Sequence, residues 1–129
     1  MAQRPFDFPR LSEIKDKKGY KIHIVIYVPS TIHVTTKISD LKFQERITET
    51  IRFLRKTLGA STTVRAIGNY KSTEHGSVTE NVAKVEAFTN TDDYQATDIK
   101  IRNWLKNKKK EWDQESIGYE FEEQFFLVK

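Results

Sequence analysis

Residues 20–28 alternate between Tyr20, Ile22, Ile24, Ile26 and Val28 on one side and Lys21, His23, Val25 and Tyr27 on the other. A period of two is the signature of a strand. Because the second set still contains Val25 and Tyr27, the strand is apolar on much of both faces and belongs inside a sheet. Pro29 has no N–H to give to a ladder, so the strand is predicted to end in the Pro29-Ser30-Thr31 turn. The β-prone residues 31–37 that follow are short enough for a loop or an edge excursion.

Ser39 is a predicted N-cap, followed by Asp40, and Phe43, Ile47, Ile51, Leu54 and Leu58 fall on one helical stripe. Gly59 stands where a helix C-terminus favours a residue at positive φ. Two β-rich runs, 62–70 and 80–89, are joined by KSTEHGSVT with its turn signal at His75-Gly76, which predicts a hairpin. Gly68 inside the first run points to a bulge or a close backbone approach. The NTDD at 90–93 supplies capping residues for a second helix, whose apolar face carries Tyr94, Ile101, Trp104, Leu105 and Trp112. Lys108 lies within that stripe and has to snorkel. Residues 116–128 alternate once more, with Ile117, Tyr119, Phe121, Phe125 and Leu127 in register, and predict one long last strand.

The order strand, helix, strand, strand, helix, strand is that of a ferredoxin-like βαββαβ domain, an α+β fold with a four-stranded antiparallel sheet and two helices on one face. In this plan the strands beginning at Tyr20 and Glu80 are the parallel, central members of the split pair. Residues 20–129 then form a single domain. Residues 1–19, which have two prolines and no sustained periodicity, form an N-terminal arm that Phe6 and Phe8 could tack down.

Composition narrows the function classes. With 22 Lys and Arg against 18 Asp and Glu, the net charge of +4 is modest, and interspersed charges of both signs speak for solubility more than for a polyanionic partner. The absence of cysteine rules out disulfides and thiolate-bound zinc or iron-sulfur centres. No N-terminal apolar region or bilayer-length run is present, so the expected location is the cytoplasm.

Following strand direction, one end of the predicted sheet collects Tyr27, Ser30, Thr31, Asn69, Tyr70, Glu80, Gln114, Glu115 and Ser116. Convergent polar groups of this kind are the expected form of a ligand site, although turn residues are polar everywhere and Ser30, Thr31 and Ser116 also suit simple turn closure. The stretches IYVPST, KISDLKF, LGASTTVRAIGNYKS, HGSVTENVAKVEAFT and QESIGYEFE together resemble a family of small uncharacterised prokaryotic proteins, over roughly residues 21–128. In that group a Gly-x-Tyr/Trp strand end, a turn, a Glu and a later Gln-Glu-Ser recur in order. The resemblance implies the ferredoxin-like plan and matches Gly68, Tyr70, Glu80, Gln114, Glu115 and Ser116 to the recurring positions. Many members look exported, whereas no leader is recognised in this chain.

These features give a non-enzymatic small-ligand- or protein-binding module as the expected function, with no cofactor and no metal. LGASTTVRAIGNY also resembles the strand end of signal-sensing ferredoxin-like trimers, but the loop that follows is much shorter than theirs. A two-histidine phosphodiesterase acting on nucleotides is the enzymatic alternative. IHVTT supplies His33, and His75-Gly76-Ser77 supplies the second imidazole for general acid and base work. An RNA-binding domain of this fold is less favoured, since the central strands lack a Gly-aromatic-x-aromatic run, and the 106–110 lysine cluster suits a helix C-terminus. No phosphate-binding glycine loop, nucleophile elbow or metal-ligating histidine spacing is present. An apolar open face carrying Val25, Tyr27, Val82, Phe88 or Phe126 predicts a homodimer through that face or an edge strand.

Overall fold

The computed structural model describes residues 22–89 and 94–129. The predicted arm, Tyr20, Lys21 and the NTDD capping segment lie outside these residues. The elements are β1 (Ile22–Pro29), β2 (Thr31–Ile32), β3 (Thr36–Lys37), α1 (Asp40–Leu58), β4 (Thr62–Ser72), β5 (Gly76–Thr89), α2 (Tyr94–Glu111), β6 (Ile117–Phe121) and β7 (Gln124–Val128).

The main sheet runs β4-β5-β1-β6-β7, with every neighbouring pair antiparallel. This overturns the four-stranded ferredoxin-like expectation: the sheet has five strands, and β2 and β3 form a separate two-stranded sheet. The predicted last strand is in fact a hairpin. Phe121 pairs with Gln124, leaving Glu122 and Glu123 as a two-residue turn with φ of 53° and 68°. A tight turn reverses the chain and keeps paired residues on one face. Phe126 and Val128 therefore join Tyr119 and Ile117 on the helix side, and Phe125 and Leu127 turn to the other side. The continuous odd-numbered register read from the sequence does not survive the turn.

The strand pair at the centre is also corrected. β1 and β5 are antiparallel, with Ile22 opposite Thr89 and Pro29 opposite Val82. The reason is connectivity: α1 returns the chain so that β4 runs with β1, and the hairpin then sends β5 back against both.

Both helices share one core with the sheet. Ile22, Ile24, Ile26 and Val28 of β1, Ala83 and Val85 of β5, and Ile117 and Tyr119 of β6 pack with Phe43, Ile47 and Leu54 of α1 and Ile101 and Leu105 of α2. Each such fully buried aliphatic side chain contributes roughly 1.5–3 kcal/mol through removal from water. The ends of α1 are set as the sequence predicts: the Ser39 hydroxyl accepts from the Lys42 N–H, and Gly59 at φ 96° donates its N–H to the Arg55 carbonyl. Lys108 does not snorkel into water. It is buried and bonded to Glu49 on α1 and Glu111 on its own helix, over the Trp104 ring. No described helix is long and apolar enough to cross a membrane.

The turn between β6 and β7 carries two non-glycine residues in the left-handed region, each costing about 1 kcal/mol. Glu123→Gly should raise stability by about 1 kcal/mol in urea unfolding; a loss of stability would show that this turn is not the one adopted.

Candidate functional site

With both helices on one face, the opposite face of the sheet is open. There β1 presents His23, Val25, Tyr27 and Pro29, and the paired strands present Glu80, Val82, Lys84 and Glu86 from β5 and Gly118 and Glu120 from β6. Towards the end where β1 stops, Tyr27, Pro29, Glu80, Val82, Lys84 and Gly118 line a groove of about 380 Å³. Its floor is Pro29, Val82 and the backbone at Gly68 and Gly118, and its walls are Tyr70 with Ala66 on β4 and Phe125 with Leu127 on β7.

The groove has an aromatic corner. The Tyr27 and Phe125 rings meet edge to face at 5.5 Å, directly over Gly118. A Cβ at Gly118 would stand 3.1 Å from Phe125 and 3.2 Å from Tyr27, so the missing side chain is what lets the rings close over β6. Gly68 plays a milder version of the same part. It sits in regular register opposite Glu80, and a Cβ there would approach Val82 Cγ1 at 3.3 Å. It is thus a close approach and not a bulge.

Glu80 is the buried carboxyl of the groove, only 8% exposed. Its Oε2 accepts from the Thr31 hydroxyl at 3.0 Å and from the Ser30 N–H at 3.3 Å. Behind that turn stands Arg46, buried on the inner side of α1. Its Nη1 donates to the carbonyls of Pro29 and Thr31, both at 2.8 Å, and its Nη2 donates to the Trp112 carbonyl at 3.4 Å. Gln114 braces the same point, with Nε2 donating to the carbonyls of Thr31 at 2.6 Å and Trp112 at 2.9 Å.

The electrostatics follow from this packing. Burial pushes Glu80 above the usual carboxylate range, while Thr31, Ser30 and the Arg46 charge pull the other way. Tyr27 is pushed up to about 12, first by burial and then by Glu120 and Glu86. Tyr70 is likewise pushed up to about 12, by burial and then by Glu80 and Glu115. Both phenols are therefore neutral donors in a field set by carboxylates, with Lys84 as the basic side chain among the lining residues.

All nine residues expected at the site lie around this end of the sheet. Tyr27, Asn69, Tyr70, Glu80, Gln114 and Ser116 line the groove, and Ser30 and Thr31 hold Glu80 from behind. Asn69 spends its side-chain oxygen on Thr79, and Glu115 accepts from Ser72 at 2.6 Å. His33 and His75 do not line the groove and sit on separate hairpin turns, His33 paired with Asp113 and His75 beside Glu74. Glu74, His75 and Glu115 also bring ligating atoms within 4.8 Å of one another at the surface, a proximity that the sequence does not display. Sequence reasoning missed Arg46, Gly118, Phe125 and Leu127. Arg46 was discoverable, since it falls inside the Phe43-Ile47 stripe of α1, where a charge is out of place. The expected open-face patch is also altered: Val25 and Val82 are buried and Phe126 packs on the helix side, leaving Phe88, Phe125 and Leu127 exposed.

The raised Glu80 has a stability consequence of definite sign. The folded chain holds this proton to higher pH than the unfolded chain, so the contribution is intact below the unfolded carboxylate range and is lost as pH rises through the folded value. Relative to wild type, Glu80→Gln should gain stability in urea unfolding as pH is raised from about 4 to about 8. A difference that stays constant across that range would contradict the assignment.

No protein-family model and no curated protein matches the chain. Two solved structures resemble it. One is a phage SAM lyase in complex with S-methyl-5'-thioadenosine, with a TM-score of 0.65 and 17% identity, covering 91% of this chain and 96% of that one. The other is a phage SAM lyase in the apo state, with a TM-score of 0.64 and 15% identity over the same shares. The likeness establishes a shared fold.

Proposed function

We propose that the groove binds S-adenosylmethionine (SAM) and that the protein cleaves it as a lyase, releasing S-methyl-5'-thioadenosine. The observation that carries the reading is the groove itself: an apolar floor, aromatic walls at Tyr27, Tyr70 and Phe125, and a buried carboxyl, Glu80, in a field dominated by acidic side chains. A nucleoside offers a flat ring for the aromatic walls, and a sulfonium is a cation that aromatic faces and carboxylates attract. The fold shared with the phage SAM lyases supports the same choice of ligand.

The chemistry asks little of acid or base groups. Breaking the bond between sulfur and the amino-acid carbon returns the electron pair to sulfur, which leaves as a neutral thioether. In a lyase reaction the departing four-carbon fragment balances the lost bond itself, by closing its own carboxylate onto that carbon or by giving up a proton. The positive charge on sulfur disappears along this path, so the carboxylates act in capture, and acceleration comes from holding the fragment in the reactive conformation away from water. This reading departs from the non-enzymatic expectation. It also leaves His33 and His75 without a catalytic part, and Lys108, buried against Glu49 and Glu111, is withdrawn from any polyanion surface. The proposal extends to pairing of two copies through the edge strand β7, at the margin of the open face, where Phe125 and Leu127 are exposed.

Purified protein incubated with SAM should yield S-methyl-5'-thioadenosine by liquid chromatography. Tyr70→Ala and Glu80→Gln should each weaken SAM binding at least about tenfold in calorimetry, Tyr70→Ala with a melting temperature close to wild type, and His33→Ala and His75→Ala should leave turnover unchanged. Absence of both turnover and binding at millimolar SAM would end the proposal. Light scattering at micromolar concentration should give twice the chain mass, and Leu127→Asp should return it to the monomer; a monomeric wild type would remove the pairing.

A further inference from the structure

We infer that Arg46, which does not line the groove, is a positioning residue for Glu80: it fixes the Ser30-Thr31 turn whose two donors orient the carboxyl. The inference rests on the proposed SAM site for its functional meaning, but its structural content stands apart from any ligand.

The geometry is a relay through two residues. Arg46 Nη1 bridges the carbonyls of Pro29 and Thr31, which flank Ser30. On its other side the same turn offers the Ser30 N–H and the Thr31 hydroxyl to a single oxygen of Glu80. Pinning the two carbonyls therefore pins the two donors. Nη2 reaches the Trp112 carbonyl, and the guanidinium carbon lies 5.4 Å from the Trp112 ring centre, so the end of α2 is tied to the same point. The planar fork of arginine can serve three carbonyls in fixed directions, which a lysine ammonium cannot do.

A purely structural brace does not account for the charge. Among the described residues the three hydrogen-bond acceptors of Arg46 are neutral carbonyls, and it is 7% exposed. Burying a cation among neutral acceptors is costly unless its field acts on an anion. The anions its field reaches are Glu80 and Glu49, and Glu49 is already bonded to Lys108. Glu80 is the carboxylate left for Arg46 to serve. Among the described residues, Tyr70 from β4 is the other titratable group coupled to Glu80, with Glu115 beyond it, while Tyr27 from β1 and Lys84 from β5 line the same groove farther along. Both tyrosines are neutral well past neutral pH, so within the carboxylate range Arg46 is the cation on α1 that tunes this group.

The decisive measurement is a carbon-13 NMR titration of the Glu80 carboxyl in the ligand-free protein, in wild type, Arg46→Met and Arg46→Lys, with Glu80→Gln identifying the signal. The expected result is a midpoint moved up by about one pH unit in Arg46→Met and by less in Arg46→Lys, since lysine keeps the charge but loses the fork. The Ser30 amide resonance should shift in both. The pH limb of SAM binding should move up in parallel and vanish in Glu80→Gln. An unchanged Glu80 midpoint in either folded variant overturns the inference, and if Arg46→Met does not fold, Arg46→Lys decides alone. Moved midpoints in a protein that binds no SAM would uphold the Arg46-Glu80 relay and reject only the ligand.

Discussion

The arrangement depends on one buried guanidinium. Three chain segments that are far apart in sequence meet at Arg46: the turn after β1, the inner side of α1, and the end of α2 at Trp112. At the turn after β1 and at the end of α2, strand or helix bonding stops and carbonyls are left over, and a buried carbonyl without a partner is expensive. Arg46 and Gln114 supply the missing donors, so the layers are joined by hydrogen bonds at the end of the sheet where aliphatic packing runs out. The groove lies on the far side of that junction, and its position follows from it.

Much of this was legible beforehand. The stripe of α1, its Ser39 and Gly59 ends, β1 and the β4-β5 hairpin are local matters of period and capping, which the chain states directly. The convergence of Tyr27, Ser30, Thr31, Tyr70, Glu80 and Gln114 also followed from strand direction. What failed to show were features decided by tertiary context. The turn at Glu122-Glu123 has no glycine, asparagine or proline to announce it, so the fifth strand was hidden inside an alternation that only Glu123 interrupts. Residues 31–37 were too short for periodicity to separate a hairpin from a loop. Arg46 falls inside the Phe43-Ile47 stripe, which marks it as buried, but its acceptors are backbone carbonyls, which no sequence pattern reveals.

The two faces of the sheet divide the work. The inner face is aliphatic and closed by helices, and carries stability. The outer face sets carboxylates, phenols and one carboxyl with burial on either side of a narrow apolar floor, an arrangement too polar to serve as a second core. His23, stacked on Phe88 at 4.5 Å and bonded to Glu86 at 2.9 Å, shows the same habit at the far end of the face, where polar groups are satisfied laterally along the sheet surface.

Gly118 bears on the evolution of such a surface. Because the rings of Tyr27 and Phe125 close over a position with no side chain, the width of the groove is governed by Gly118 and by the outward-facing residues of β7, whose inward-facing Val128 belongs to the core. A lineage changing residues 118, 125 and 127 together could widen, narrow or reline this cleft while the core packed by β1, β5 and α1 stayed untouched. The lining of the cleft and the packing of the core are therefore separable in this architecture, the first written on the outer side of the last hairpin and the second on its inner side.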